Sequence, residues 1–309
     1  MRLAALLVCT ALPAFAEAPA VATDVMPTWG LTSAIMEGVD GPVVVAEGDW
    51  HETSLDPEAA QALDEATLVI RIEGTLPWIE DAIGELAPDA QILVLESPAA
   101  GEEDGHGDAH ADDGHGDEGH DDHHDEGHDD HAEADHHGHD HGGVDPHGWL
   151  DPDVALGWAG QIAEALSAQD PENAERYAAN LAALREEVEG IEARIRAAIP
   201  DGLDVVAAHD GWGHAERAFG FEVLAFATDL THGAATPRDI AALSEAAPRA
   251  ACLLAANENE AAALSEIVGD LPVGLAGPDG VGLPFVPEFY PMLLTRLAIA
   301  LETCAEAAA

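Results

Sequence analysis

The chain has 309 residues, of which ten are arginine, none is lysine and sixty-one are acidic, so its formal charge at neutral pH is −51. Seventeen of the acids lie in one run between residues 102 and 140, but without them the charge is still −34. Such a composition excludes nucleic acid or an anionic membrane surface as a partner, because both are themselves polyanions.

The first sixteen residues have the pattern of a secretory signal. Arg2 precedes an apolar run over residues 3–12, and Ala14-Phe15-Ala16 supplies the small residues of a cleavage site. Val8 before Cys9 fits a lipoprotein cleavage box poorly. The apolar run is too short to span a bilayer, and no later stretch is long enough without interruption. We therefore expect a soluble, exported protein, with no membrane insertion of the mature chain.

Short apolar runs alternate with amphipathic stretches in the first half of the mature chain. Buried strands are predicted at 21–25, 43–46, 68–72 and 92–95. Helices are predicted to about residues 36, 65 and 86, and the second of them begins at Pro57 with Asp56 as its N-cap. Strands separated by helices of this length are typical of a parallel sheet covered on both faces. The first lobe, residues 17–168, is therefore predicted to be α/β.

A helix to about residue 168 is followed by an unusually long helical pattern that begins at Asp170 and ends before Pro200. A helix of about thirty residues would be roughly 45 Å long, enough to join two lobes. The alternation then resumes, with strands predicted at 203–208, 221–224 and 251–255 and helices at 211–219, 237–246, 258–268 and 289–307. The predicted fold is α/β in two lobes, each a parallel sheet flanked by helices, joined by one long rigid helix at 169–199. The second lobe takes residues 200–309.

A low-complexity run at 102–141 separates the first lobe's last strand from the next helix. It has almost nothing apolar to bury, which predicts a disordered, solvated loop. Imidazoles among carboxylates predict a loop that collects divalent metal ions, although an acidic spacer or a tag-like insertion is the alternative. Its twelve histidines are His106, His110, His115, His120, His123, His124, His128, His131, His136, His137, His139 and His141.

Loss of the signal would remove Cys9 and leave two cysteines, Cys252 and Cys304. In an oxidising compartment an even pair is most simply a disulfide, here closing a loop of about fifty residues and contributing about 2 to 4 kcal/mol. The alternative, two thiolate metal ligands, lacks a nearby partner cysteine such as a CxxC motif provides. The pattern favours the disulfide.

Three histidines stand apart from the low-complexity run: His51, His147 and His209. Each follows a predicted strand or precedes a predicted helix, and ligands of α/β sheets bind outside the carboxyl ends of the strands. Their separation along the chain matches no zinc-finger spacing, so two possibilities stay open. The three histidines converge on one metal ion, or they are independent surface and core residues. His214 is interpreted as a helix-face residue or as one that supports a ligand, rather than as a ligand itself, and His232 as a turn residue.

Each of the three isolated histidines lies in a short, distinctive motif. The motifs read Gly48-Asp49-Trp50-His51, Asp145-Pro146-His147-Gly148-Trp149-Leu150-Asp151-Pro152 and Ala208-His209-Asp210-Gly211-Trp212. They resemble the ligand segments of the metal-binding solute receptors of bacterial ABC importers, specifically the zinc-uptake branch. The second motif is highly specific, and the histidine-rich run, the long helix and the cysteine spacing also match. The resemblance covers nearly the whole mature chain.

The resemblance implies a receptor that holds Zn2+ between two lobes, with His51 and His147 as ligands from the first lobe and His209 from the second. A histidine rather than a glutamate at the last position is typical of zinc-type receptors, and neutral imidazole suits zinc better than manganese. The fourth ligand stays open. Where the family often has an acidic residue this chain has Gly277, so either Asp279 or a water molecule would complete a tetrahedron.

The resemblance implies capture of Zn2+ in the periplasm and delivery to an ABC permease in the inner membrane, without catalysis. The histidine-rich loop would act as a low-affinity collector or sensor, a periplasmic zinc chaperone is a candidate second partner, and the receptor is expected to be a monomer. Trp50, Trp149 and Trp212 adjoin the three histidines and either line the site or pack the core.

Two other functions stay open. One is a metal buffer or adhesion accessory with the same fold and no transporter. The other is a zinc hydrolase, because three histidines and a water are also the ligands of catalytic zinc. No Glu or Asp general base accompanies the motifs, which argues against the hydrolase.

Overall fold

The computed structural model describes residues 18–48, 50–98, 145–200, 202–228 and 235–308. The predicted signal sequence, the histidine-rich run and His232 lie outside these described residues, so the predictions made for them are not tested. Within the described ranges, no helix has both the length and the apolar character that crossing a membrane would require.

The first lobe contains a four-stranded parallel sheet, as predicted. Its strands are β1 (Val21–Val25), β2 (Val43–Ala46), β3 (Leu68–Ile72) and β4 (Gln91–Leu95), in the order β2-β1-β3-β4. Its helices are α1 (Met26–Ile35), α2 (Pro57–Glu65) and α3 (Ile79–Leu86), followed after the histidine-rich run by α4 (Pro152–Gln169). The predicted N-cap of α2 is confirmed, because the Asp56 carboxylate accepts hydrogen bonds from the backbone of Glu58 and Ala59.

The second lobe repeats the same strand order. Its strands are β5 (Leu203–His209), β6 (Phe221–Thr228), β7 (Leu253–Ala255) and β8 (Val273–Leu275), all parallel and ordered β6-β5-β7-β8. Its helices are α6 (Gly213–Phe219), α7 (Pro237–Ala246), α8 (Glu258–Val268) and α9 (Phe289–Ala308). The predicted class of two parallel sheets flanked by helices is therefore confirmed.

The long helix α5 (Ala174–Ala198) is shorter than predicted and begins four residues later. The Asp170 carboxylate accepts hydrogen bonds from the Asn173 amide and the Tyr177 hydroxyl, at 2.7 and 2.9 Å. These bonds hold a turn between α4 and α5 where a continuous helix was expected. With 25 residues, α5 is about 37 Å long rather than 45 Å.

Helix α5 contacts helices that flank both sheets. Near its start the Asn180 amide donates to the carbonyl of Ile35 in α1, at 2.8 Å. Near its end the Arg194 guanidinium makes two hydrogen bonds of 2.7 Å to the Glu302 carboxylate in α9. The two lobes also share one apolar core, in which Trp29 of α1 packs edge-on against Phe289 of α9. Helix α5 thus spans from the first lobe to the second.

Two details near β7 and β8 differ from the predictions. Strand β8 was not predicted, since it has only three residues and Gly274 at its centre weakens the apolar signal. Cys252 precedes β7 rather than lying within it. The predicted disulfide between Cys252 and Cys304 is present and fastens the start of β7 to α9.

Candidate metal site

The three isolated histidines occupy the positions that the strand pattern predicts. His51 lies in a 3-10 turn, Trp50–Glu52, shortly after β2. His147 directly precedes a second 3-10 turn, Gly148–Leu150, which leads into α4. His209 is the last residue of β5. Each imidazole therefore lies within, directly before or at the end of a short regular element.

These three side chains converge. One ring nitrogen from each of His51, His147 and His209 lies within 4.8 Å of the other two. Their ring centroids are 5.7 to 6.3 Å apart. Zinc binds imidazole nitrogen at about 2.0 to 2.1 Å, so two tetrahedral ligand atoms lie about 3.4 Å apart. Inward adjustments of about 1 Å would therefore bring the three nitrogens onto one zinc ion.

Hydrogen bonds to Asp145 fix the tautomer of His147. The ring is fully buried, and its Nδ1 lies 2.8 Å from the Asp145 carboxylate, which also accepts the His147 backbone N–H at 3.0 Å. Because an ionised carboxylate only accepts, Nδ1 carries the proton. The buried Nε2 has no hydrogen-bond partner within the described ranges. Its lone pair is thus available to a metal ion, as in other sites where a carboxylate orients a histidine ligand.

The electrostatic environment of the site favours a cation. Burial is the largest effect on the pKa of His147 and lowers it, but the bond to Asp145 and the charges of Asp145, Asp279 and Asp210 raise the pKa overall. For the acid Asp145, burial has the opposite effect and raises the pKa. The hydrogen bond from His147 and the charges of His147 and His214 outweigh burial and bring the pKa of Asp145 down to about 2. Carboxylates around the imidazoles therefore concentrate positive charge there.

His214 supports the site and does not enter it. Its Nδ1 lies 2.6 Å from the Arg217 guanidinium, which can only donate, and its Nε2 lies 3.2 Å from the carbonyl oxygen of Asp145. Burial is the main cause that lowers the pKa of His214. With Nδ1 accepting and Nε2 donating, both ring nitrogens are used. This agrees with the interpretation that His214 supports a ligand and is not itself one.

The tryptophans of the motifs are buried, and two of them also line the site. The Trp50 indole stacks on His51 with centroids 3.6 Å apart, and the Trp149 indole lies 4.9 Å from the ring of His147. Trp212 is 2% exposed and belongs to the shared core. Trp50 and Trp149 therefore both line the site and pack in the core.

The residue considered for the fourth ligand, Asp279, is 6% exposed and lies close enough to influence the charge of His147. Its Oδ1 accepts a hydrogen bond of 2.8 Å from the Trp50 indole. The convergent group itself consists of the three histidines. Asp279 or water as the fourth ligand stays a prediction.

Two residues that shape the site were not singled out from the sequence. Asp145 orients His147, and the Asp-Pro-His spacing is the signal that would have identified it. Gly211 has φ +143°, and a Cβ there would approach the His147 ring to 2.9 Å. Only glycine lets this backbone pass the imidazole.

Comparisons with known proteins agree with the geometry of the site. Residues 21–271 match the family model described as zinc-uptake complex component A, periplasmic (ZnuA). The high-affinity zinc uptake system protein ZnuA of Paracoccus denitrificans is 41% identical over 227 residues, which cover 71% of this chain and 70% of that protein. The protein of the same name from Brucella abortus is 30% identical over 93% of this chain and 92% of its own length.

Solved structures share the fold at low sequence identity. The periplasmic zinc-binding protein TroA of Treponema pallidum superimposes with a TM-score of 0.69 at 16% identity, covering 93% of this chain and 99% of TroA. The laminin-binding adhesin Lmb of Streptococcus agalactiae gives a TM-score of 0.64, also at 16% identity, covering 92% of this chain and 99% of Lmb. On its matched sequence, the chain belongs to the ZnuA family of periplasmic zinc-uptake components.

Proposed function

We propose that this protein captures Zn2+ in the periplasm and delivers it to an ABC permease in the inner membrane. The observation that carries the proposal is the convergence of three imidazole nitrogens within 4.8 Å, two from the first lobe and one from the second. Neutral imidazole is a preferred zinc ligand. The relatives named as high-affinity zinc uptake proteins support the same assignment.

In this proposal His51, His147 and His209 bind the ion, and Asp279 or a water molecule completes the tetrahedron. A ligand set divided between two lobes suits capture and release, since a small separation of the lobes removes one ligand. The same three imidazoles could activate water for hydrolysis, but the family is a transport family. Zinc-dependent hydrolysis of an activated ester by the purified protein would favour the enzyme instead.

Metal titration by calorimetry tests the site. Wild type is expected to bind one zinc ion tightly, and His51→Ala, His147→Ala and His209→Ala are each expected to lose that tight site. His120→Ala, in the histidine-rich run, is the matched control and should retain it. A tight site that survives all three substitutions would overturn the proposal. X-ray absorption of zinc-loaded Asp279→Ala would then distinguish a carboxylate ligand from water.

We further propose that the histidine-rich run, residues 102–141, is a low-affinity collector or sensor that raises the local zinc concentration. Its histidines have an unperturbed pKa of about 6.5, so protonation should release metal from them as the pH falls. Deletion of the run should remove the weak sites from the titration and leave the tight site. Loss of the tight site on deletion would contradict this division of roles.

The partner proposed for the loaded receptor is the permease, and a zinc chaperone is a second candidate. A metal buffer or adhesion accessory would act without a transporter. Cells lacking the receptor should grow poorly when zinc is limiting, and deletion of the permease should add no further defect. An additive defect would favour the buffer or accessory role. Size-exclusion chromatography of the purified protein should give a monomer.

A further inference from the structure

Two tryptophans of the ligand motifs connect the first lobe to the second. The Trp50 indole N–H donates to the Asp279 carboxylate at 2.8 Å, and the Trp149 indole N–H donates to the carbonyl of Pro278 at 2.8 Å. Trp50 adjoins one metal-binding histidine, and Trp149 lies two residues after another. Both ligand segments of the first lobe are thus tied to the same short turn of the second.

That turn holds its acceptors rigidly. It is closed by a hydrogen bond from the Gly280 backbone N–H to the carbonyl of Gly277, at 3.2 Å. Gly280 has φ +74°, and a Cβ there would lie 2.6 Å from the Phe289 ring of α9. The turn therefore packs directly on α9, and only glycine fits at its last position. Pro278 and Asp279 are presented from a fixed backbone.

Trp50 is also coupled to a zinc ligand. Its ring stacks on the His51 ring with an interplanar angle of 28° and centroids 3.6 Å apart. His51 is the least buried of the three converging histidines. The Trp50 indole covers one face of its ring and shields that face from solvent. A swing of the His51 ring away from the site would break this stacking contact with Trp50. Trp50 in turn cannot move away without breaking its hydrogen bond to Asp279. The buried indole N–H and the carboxylate oxygen would then lose each other as partners, which costs free energy.

We propose that the hydrogen bond between Trp50 and Asp279 is a latch between the lobes that sets how fast zinc leaves the site. This inference rests on the proposed function, because it takes zinc as the ion bound. Asp279 acts in it as the acceptor of the latch, and Trp50 as a positioning residue for His51. The bond must break before the lobes separate and His51 can release the ion. Its effect therefore falls on dissociation and not on the number of zinc ions bound.

The test measures zinc dissociation by stopped flow, with excess chromophoric chelator added to the zinc-loaded full chain. Trp50→Phe retains an aromatic ring on His51 and removes the N–H. Asp279→Ala removes the acceptor. Each is expected to raise the dissociation rate about tenfold, as loss of one buried hydrogen bond implies. In Trp50→Phe the association rate and the stoichiometry of one tight zinc should be unchanged. Because both substitutions break one bond, the double variant should dissociate no faster than either single variant.

Two conservative variants serve as controls. Asp279→Asn keeps an acceptor oxygen but removes the charge, so its dissociation rate should lie between those of wild type and Asp279→Ala. Tyr177→Phe likewise keeps its ring and removes a different buried hydrogen bond, the one from the Tyr177 hydroxyl to the Asp170 carboxylate, and should leave the dissociation rate unchanged. Thermal unfolding of the zinc-free variants checks that each is folded.

Three outcomes would overturn the latch. The first is a wild-type dissociation rate in Trp50→Phe. The second is a double variant whose rate is the product of the two single effects. The third is an Asp279→Asn variant that releases zinc as fast as Asp279→Ala, which would make Asp279 a zinc ligand. The absence of a tight zinc site from the wild-type protein would instead refute the proposed function.

Discussion

Substitution of Asp145 by alanine should weaken zinc binding without removing any zinc ligand. The Asp145 carboxylate makes bonds of 2.8 and 3.0 Å to the ring and backbone of His147. Burial raises its pKa, but the hydrogen bonds and charges of its neighbours bring it from 3.8 to about 2, a net shift equivalent to about 2 kcal/mol. Removal of a carboxylate that orients a histidine ligand typically lowers metal affinity 10- to 100-fold. We expect a loss in that range, equivalent to about 1.4 to 2.8 kcal/mol.

The assay is competition for zinc against a chelator of known affinity at neutral pH. Asp145→Asn keeps an oxygen that can accept from Nδ1 and should fall between Asp145→Ala and wild type. Asp64→Ala is the matched control, because it removes an exposed carboxylate of α2 that does not belong to the convergent group. Wild-type affinity in Asp145→Ala would refute the argument that this carboxylate orients His147.

Three other perturbations have defined outcomes. Gly211→Ala should lower zinc affinity at least tenfold in the same competition assay, because its Cβ would displace the His147 ring. Glu216→Gln should stabilise the zinc-free protein in urea at pH 8 but not at pH 4. Burial, more than the charges of nearby acids, raises the pKa of Glu216 from 4.5 to about 7, so the stability that its protonated form contributes is present below about pH 4.5 and lost as the pH rises through 7. The loss reaches at most about 3 kcal/mol. Reduction of the disulfide between Cys252 and Cys304 should lower the free energy of unfolding by about 2 to 4 kcal/mol, measured in urea with and without reductant.

The sheets could be predicted because their strands are short, apolar and separated by helices. Runs such as 68–72 are buried on both faces, which makes the signal strong. The start of α5 could not be predicted because it depends on the Asp170 side chain, whose bonds to Asn173 and Tyr177 replace the expected first helical turn. Strand β8 could not be predicted because three residues with a central glycine show almost no hydrophobic periodicity.

The three histidines of the site could be located from their motifs, but the groups that hold them could not. Asp145 lies in the same motif as His147, yet only the folded backbone shows that its carboxylate reaches the imidazole. The bond between Trp50 and Asp279 joins residues 229 positions apart, and no local pattern encodes such a contact. Sequence identifies side chains able to bind a metal, whereas tertiary packing determines which neighbours orient them.

The division of the three imidazoles between two lobes affects more than geometry. In the proposed zinc site, the first lobe alone would offer a bidentate chelator, His51 and His147. His209 would reach the ion only at the effective concentration that the arrangement of the lobes provides. Affinity can therefore be tuned over orders of magnitude by changes that touch no ligand. A partner protein that separates the lobes would lower this effective concentration, and the tight metal site would become a weak one.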